Sequence, residues 1–195
     1  PHARTIRDYV EPRAVPVSAV AGLATLAYAG VTAFVPLYAG ALGLSRGAAF
    51  FFLVYAGAML VTRPYLGRRY DRRGPDSVVV PGLVLFGLGF VALSLINGPL
   101  VLLGAAVLVG LGFGAVHPSL QTMAVQSTSR ARSGHATATF FTFFDSGIAV
   151  GSLVLGIVVD AFGFRVLYAA SAVLVFALIA LYLAISPSRK GPSSG

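Results

Sequence analysis

The apolar run LVLLGAAVLVGLGFG at residues 100–114 decides the fold of this 195-residue chain. It contains no charged residue, and the predominantly apolar stretch continues to residue 126. A helix that spans a bilayer needs about 20 mostly apolar residues, because each residue advances the helix by only about 1.5 Å. A membrane β-strand would instead alternate apolar and polar residues, and this run does not. The stretch therefore predicts a transmembrane α-helix.

Five further stretches share the length and composition of this one. The six predicted spans are residues 16–39, 47–63, 77–96, 100–126, 137–161 and 166–186. Hydrophobic residues make up 57% of the chain and charged residues 10%, against about 25% charged in ordinary soluble domains. We therefore predict an all-α integral membrane protein with a six-transmembrane-helix bundle at residues 16–186. Residues 1–15 are expected to form a linker or interfacial segment, and residues 187–195 a disordered tail.

Basic residues are distributed unevenly between the two ends of the predicted helices. Twelve of the 14 Lys and Arg residues fall at one end, and only Arg46 and Arg165 fall at the other. Basic loops stay on the cytoplasmic side, so both termini are predicted to be cytoplasmic. This topology accounts for the formal net charge of +8, and no nucleic-acid partner is expected. The chain has no Cys, which excludes thiolate metal sites, and no metal or other cofactor is expected.

Three of the predicted spans carry polar or small residues at helical spacing. These are Thr139, Thr142, Asp145, Ala149, Ser152 and Gly156 on the fifth span, Ser18, Thr25, Tyr28 and Thr32 on the first, and His117 and Gln121 on the fourth. Residues three and four apart share a helix face. Polar faces of membrane helices line a bundle interior or a water-filled cavity. We predict that spans one, four and five, together with two, line such a cavity, and that spans three and six lie outside.

Asp145 is the most unusual residue on these faces. A carboxylate in the middle of a membrane helix costs about 2.5–3.5 kcal/mol on insertion scales, so it needs a partner, a proton or water. His117 is a candidate partner, because it and Asp145 each lie 14 positions from Ala131, near the centre of the connection between their spans. An Asp–His pair can take up and release protons near neutral pH. A proton-binding role is therefore expected for Asp145.

Two glycine pairs predict where helices approach closely. The pairs are Gly110 with Gly114 on the fourth span and Gly147 with Gly151 on the fifth. Small residues four apart allow two helix backbones to come together. Because the pairs lie at nearly matched levels, we expect the fourth and fifth spans to pack closely through them.

The connection between the second and third spans has the most specific pattern, RPYLGRRYDRRGPD at residues 63–76. It resembles the signature of the major facilitator superfamily, Gly-x-hydrophobic-x-Asp-basic-x-Gly-basic. The matching positions are Gly67, Asp71, Arg72 and Gly74, and the departures are Arg69 for the hydrophobic residue and Pro75 for the last basic one. Residues 62–64, 110–121 and 143–148 also look like this family, especially its proton-linked efflux branch. The resemblance covers residues 11–186 and fits the C-terminal half of such a transporter, helices seven to twelve, better than the first.

This resemblance implies a fold and a function. The family transports by alternating access between two six-helix halves, around a site near the middle of the membrane. The chain would supply one half, and the second would come from the same longer chain or from another copy. In the family, helices seven, eight, ten and eleven line the central cavity, in agreement with the polar faces. The implied function is secondary active transport, with proton-coupled export of small organic molecules, and no enzyme activity is expected.

Roles for individual residues follow from combining the polar faces with the resemblance. The expected proton- or substrate-binding residues are Asp145, His117, Gln121, Tyr28, Thr32, Tyr55 and Thr142, and the expected gating loop contains Arg63, Gly67, Asp71, Arg72 and Gly74. One alternative is a membrane module that does not transport, such as a receptor or a scaffold. Another is an intramembrane hydrolase that would use Ser146 with His117.

Overall fold

The computed structural model describes residues 10–186, and within them every regular element is a helix. The elements are α1 (Val15–Ala29), a π-helical segment (Gly30–Phe34), α2 (Val35–Ala41), α3 (Ser45–Arg73), α4 (Asp76–Ser94), α5 (Pro99–Gln126), a 3₁₀ turn (Arg130–Arg132), α6 (Ser133–Phe162) and α7 (Phe164–Ile185). They provide six helices long and apolar enough to cross a membrane, of which the first, Val15–Ala41, joins α1 to α2. The predicted all-α bundle of six spans is confirmed. Most of the predicted linker and the predicted tail lie outside the described residues.

Each helix packs against its neighbours in one bundle, and two of the helices, α3 and α6, are largely exposed. The helix α5 packs between α3 and α4, α1 packs between α6 and α7, and α4 packs against α7 to join the two groups. The first and fourth spans are each 56% buried over their apolar windows, whereas the α3 span is only 11% buried and the α6 span 17%. The exposed sides of α3 and α6 therefore form most of the surface that this six-helix bundle could offer to a second group of helices.

The third and sixth spans, α4 and α7, pack against each other. Their apolar windows are 50% and 39% buried, because α4 also packs on α5 and α7 on α1. Apart from Arg165 in the first turn of α7, their exposed side chains are apolar, as at Leu88 and Val173. Apolar exposed surface of this kind suits lipid. That α4 and α7 lie outside a transport cavity stays a prediction.

The glycine pairs mediate close packing, but with different partners from those predicted. A Cβ on Gly110 would lie 2.6 Å from the carbonyl oxygen of Tyr55 on α3, and one on Gly151 would lie 2.5 Å from that of Leu26 on α1. Gly147 likewise lies against the α1 backbone, and Gly114 against α3. The expectation that the two pairs face each other was wrong. The glycine face of α5 is turned to α3, whereas that of α6 is turned to α1.

The predicted loop at residues 63–76 is mostly helix. The helix α3 continues to Arg73, and only Gly74 and Pro75 separate it from α4. Gly74 has φ +79°, a conformation that glycine adopts far more easily than other residues, so it ends the helix at this point. The expected gating loop is therefore a helical end of α3 with a two-residue turn. Arginine and leucine are good helix formers, and the charged turns reach water beyond the apolar part of the span.

The first span is interrupted by a feature that the sequence did not predict. Pro36 has no backbone N–H, so a regular α-helix would lose a hydrogen bond one turn earlier. The chain forms the π-helical segment Gly30–Phe34 just before this proline. The hydroxyl of Tyr168 on α7 donates a 3.1 Å hydrogen bond to the carbonyl of Gly30, and both groups are buried. A side chain from another helix thus stabilises the irregular backbone inside the membrane region.

Candidate functional site

A polar cavity of about 450 Å³ lies between the end of α3 and the second half of α5. Its polar lining consists of Arg63, Asp71, His117, Ser119, Gln121 and Thr122, with Tyr70 beside them. Positions three and four apart on one helix point the same way, so successive turns of α3 and of α5 line one space. The cavity therefore unites predicted gating residues with two of the predicted binding residues.

The two walls of this cavity differ in charge. The α3 wall carries the guanidinium of Arg63 and the carboxylate of Asp71, and neither forms an ion pair among residues 10–186. The α5 wall carries the neutral amide of Gln121 and the hydroxyl of Thr122. Such a cavity presents both donors and acceptors to a guest molecule. Asp71 lies in the last turn of α3.

A hydrogen bond joins α3 to α5 beside the cavity. The hydroxyl of Tyr70 donates a 3.1 Å hydrogen bond to the side-chain oxygen of Gln126. Tyr70 also borders a second cavity of about 470 Å³, which reaches Arg13 and Ser127. The end of the bundle that holds the 74–75 and 127–132 turns is hereafter called the basic end. The Tyr70–Gln126 pair lies between this end and the polar cavity.

His117 lies in an aromatic environment at the wall of the cavity. Its ring centroid is 5.6 Å from that of Phe113, 5.6 Å from that of Phe140 and 4.8 Å from that of Phe144. Its Nε2 atom is buried and has no hydrogen-bond partner among the described residues. The imidazole is therefore held in place by packing while one ring nitrogen stays free for a proton or a ligand.

Asp145 lies on the exposed side of α6 and does not pair with His117. The buried side of α6 carries Gly147, Gly151 and Leu155, and it packs on α1 and the π-helical segment. Asp145 is exposed on the other side, and no hydrogen bond or ion pair joins it to His117 in the described chain. The predicted partnership fails because Phe140 and Phe144 occupy the part of α6 that meets the imidazole.

The predicted polar stripe of α6 divides between these two sides. Thr142 and Ala149 are exposed like Asp145, and Ser152 and Gly156 are half-buried. Thr139 departs from the stripe, because it is buried and its hydroxyl oxygen accepts a 2.9 Å hydrogen bond from the backbone N–H of Glu11. The exposed part of the stripe faces away from the interior of this six-helix unit. The exposed side of α6 can line a cavity only where a second group of helices covers it.

Tyr28 and Tyr55 meet each other, as their assignment to one cavity face required. The hydroxyl of Tyr55 donates a 3.0 Å hydrogen bond to that of Tyr28. The Tyr28 ring stacks on Phe113 with centroids 3.9 Å apart and planes 5° apart. An aromatic stack therefore runs from Tyr55 through Tyr28 and Phe113 to His117.

The other polar residues of the first span have different environments. Ser18 and Thr25 are buried, and the Thr25 hydroxyl donates to the carbonyls of Gly22 and Phe144 at 2.9 and 3.1 Å. Thr32 is exposed and its hydroxyl bonds within its own helix. The buried part of the stripe therefore holds α1 to α6 rather than lining a wet space.

Sequence reasoning missed two features of this region. Phe140 and Phe144 are four apart, as are Phe113 and His117, and this matched spacing could have indicated the aromatic contact between α5 and α6. The second feature is the ion pair between Arg132 and the buried Glu11, at 2.6 Å. It joins the segment before α1 to the turn before α6, and no local pattern links residues so distant in sequence.

Fold and cavity together define an integral membrane protein with a polar cleft between two of its helices. Residues 11–195 match the sequence model of the Major Facilitator Superfamily, so the chain belongs to that superfamily. The family resemblance of the sequence is confirmed. The chain is similar to the multidrug resistance protein MdtG of Klebsiella pneumoniae, with 31% identity over 68% of this chain and 32% of that protein. The efflux-like branch fits this relative.

Further relatives extend the same comparison. An uncharacterized MFS-type transporter, YhhS of Salmonella enteritidis, is 29% identical over 88% of this chain and 42% of its own length. A peptide transporter, POT, solved in complex with sulfate, has the same fold with a TM-score of 0.75 at 22% identity, over 93% of this chain and 39% of that one. The chain thus spans 32% to 42% of the length of these relatives.

Proposed function

We propose that the chain is one six-helix unit of a secondary active transporter that exports small organic molecules in exchange for protons. The observation that carries this proposal is the polar cavity between α3 and α5, where Arg63 and Asp71 meet His117 and Gln121. The similarity to multidrug resistance proteins supports export. A second six-helix unit, from the same longer chain or from another copy, would complete the transporter against the exposed sides of α3 and α6.

Asp145 is the proposed proton-binding residue. It is exposed on α6 and makes no ion pair within residues 10–186. An unpaired carboxylate inside the membrane is energetically costly, so binding a proton or a cationic substrate to Asp145 lowers the free energy of the transporter. Competition between the proton and the substrate for one carboxylate would couple their movements in opposite directions. Thr142, one turn before Asp145, lies on the same exposed side and would contact the substrate.

The cavity between α3 and α5 is the proposed gating region. Alternating access requires that contacts at one end of the bundle break while those at the other end form. The Tyr70–Gln126 hydrogen bond is a contact of this kind, because it joins the gating segment of α3 to the end of α5. His117 and Gln121 would then sense whether the cavity is open to water. No step needs a metal or an organic cofactor.

We also propose a bacterial inner-membrane location with both termini in the cytoplasm. Among the described residues the arginines lie mostly at the basic end, with Arg46 and Arg165 as the exceptions. We do not propose a hydrolase. Ser146 is exposed on α6 and has no hydrogen bond to His117 within the described chain, and the curated relatives named above are transporters.

The test is a pair of matched substitutions on α6 in the complete transporter. Asp145→Asn removes the proposed proton site, and Asp160→Asn removes an equally exposed carboxylate near the end of the same helix. Proteoliposomes with an imposed pH gradient are assayed for uptake of a cationic dye. We expect gradient-driven uptake to vanish in Asp145→Asn and to persist in Asp160→Asn. Full pH dependence in Asp145→Asn would overturn the proposed coupling role.

A further inference from the structure

The segment that leads into α1, residues 10–14, packs into the bundle at the basic end. Glu11 is only 4% exposed and Ala14 is fully buried. The backbone N–H of Ala14 donates a 3.0 Å hydrogen bond to the carbonyl of Glu11, so the chain turns here before α1 begins at Val15. We call these five residues the entry segment. Its fixed geometry allows Glu11 to act on a second helix.

Glu11 makes two directional contacts with the beginning of α6. Its carboxylate pairs with Arg132, the residue immediately before α6, at 2.6 Å. Its backbone N–H donates a 2.9 Å hydrogen bond to the hydroxyl oxygen of Thr139, which in turn donates to the carbonyl of His135 at 2.8 Å. Glu11 and Thr139 are both buried among the described residues, so this contact does not depend on what covers the exposed side of α6.

Further along, α6 rests on α1 through glycines. Gly147 and Gly151 lie against the α1 backbone. Glycine lets two helices approach closely, but it has no side chain that would prevent one helix from rotating on the other. Hydrogen bonds do oppose rotation, because they depend on direction, and Thr25 donates one of 3.1 Å to the carbonyl of Phe144. At the basic end this task falls to the contacts of Glu11.

We propose that Glu11, Arg132 and Thr139 form a clamp that fixes the rotation of α6 on α1. Asp145 lies six residues beyond Thr139 on the same helix, so the three residues are positioning residues for its carboxylate. A rotation of about 30° would move an atom on the helix surface by about 3 Å, enough to displace a bound substrate or proton donor. The role toward Asp145 rests on the proposed function, whereas the clamp itself does not.

Distances between two spin labels test the clamp in the complete transporter. Ala149→Cys on α6 and Val173→Cys on α7 carry nitroxides, and any native Cys in the second six-helix unit is replaced by Ser. In this background we expect Arg132→Gln to shift or broaden the distance distribution by about 3 Å or more, as the rotation estimate requires. Glu11→Gln should do the same, and the combined variant should go no further, because both changes remove one pair.

Two more variants make this result specific. Arg130→Gln alters an exposed arginine of the same turn and should leave the distances unchanged. Thr139→Val removes the second contact without changing a charge and should also move the distribution. Unchanged distances in Arg132→Gln and Thr139→Val would overturn the clamp. Equal movement in Arg130→Gln, or a combined variant that moves further than either single one, would overturn it as well.

Uptake of a cationic dye in proteoliposomes tests the positioning role separately. At equal amounts of folded transporter, Arg132→Gln should raise the KM for the dye by about twofold or more, the lower end of the coupling between residues in one network, and should largely keep the maximal rate. A shifted distance with an unchanged KM would overturn the positioning role. Full pH dependence in Asp145→Asn would refute the proposed function, whereas the distance measurement would still decide on the clamp.

Discussion

Tyr168 and Tyr38 provide a matched pair for testing how the irregular first span is stabilised. Their rings stack with centroids 5.6 Å apart, and both side chains are buried. The Tyr168 hydroxyl donates to the Gly30 carbonyl at 3.1 Å, whereas the Tyr38 hydroxyl has no partner among the described residues. Replacing either residue with Phe keeps the ring and removes only the hydroxyl.

The two substitutions should therefore change stability differently. Tyr168→Phe removes the hydrogen bond that α7 donates to the Gly30 carbonyl at the π-helical segment. Interhelical hydrogen bonds in membranes contribute about 0.6 kcal/mol on average and up to about 1.7 kcal/mol. We expect its free energy of unfolding to fall by an amount in that range. Tyr38→Phe removes a buried hydroxyl that bonds to nothing, so stability should stay the same or rise.

Reversible unfolding in mixed micelles, followed by circular dichroism as the denaturing detergent is increased, measures both changes. Hydrogen exchange supplies a local readout, because the amides of Gly30–Phe34 should exchange faster in Tyr168→Phe than in Tyr38→Phe. Equal losses of stability in the two variants would refute the reasoning. So would a larger loss in Tyr38→Phe, since the ring packing is common to both.

Two other contacts give predictions of the same form. Gly147→Ala should lower the free energy of unfolding by about 1–3 kcal/mol, because the new methyl group meets the α1 backbone. Gly57→Ala places its methyl group in open space and should be neutral or stabilising by up to about 1 kcal/mol. Detergent unfolding of both variants measures the difference. Arg132→Gln should lower the free energy of unfolding by about 1–2 kcal/mol, because it leaves the buried carboxylate of Glu11 unpaired. The loss is modest because the Arg132 side chain is 47% exposed, so that solvent weakens the ion pair. Arg130→Gln, at an exposed neighbour, should change the melting temperature little, and an equal shift in both arginine variants would contradict this assignment.

The number and the approximate positions of the spans could be predicted because hydropathy depends on local composition. Spans of about 20 apolar residues are required by the thickness of the membrane, whichever helices surround them. That Asp145 shares a side of α6 with Thr142 and Ala149 also follows from local spacing. These properties are fixed within one helix and need no knowledge of its neighbours.

The choice of packing partner could not be predicted in the same way. Gly110 and Gly147 were each recognised as contact points, but the facing helix depends on how all six helices are arranged. The same reason explains why the His117–Asp145 pairing failed: matched depth does not determine which side of α6 faces α5. The extension of α3 to Arg73 was missed because charged residues were interpreted as a loop, although arginine forms helices well.

The central claim is that the exposed side of α6 lines a water-filled cavity in the complete transporter. This chain has no Cys, so Ala149→Cys introduces its only thiol, one turn from Asp145; any Cys in the second six-helix unit is replaced by Ser. Val173→Cys introduces a matched thiol on the apolar exposed side of α7, where the native residue is 70% exposed. A membrane-impermeant maleimide should label Ala149→Cys, with protection by transported substrate, and should leave Val173→Cys unlabelled. Labelling of neither thiol, or of both equally, would contradict the account.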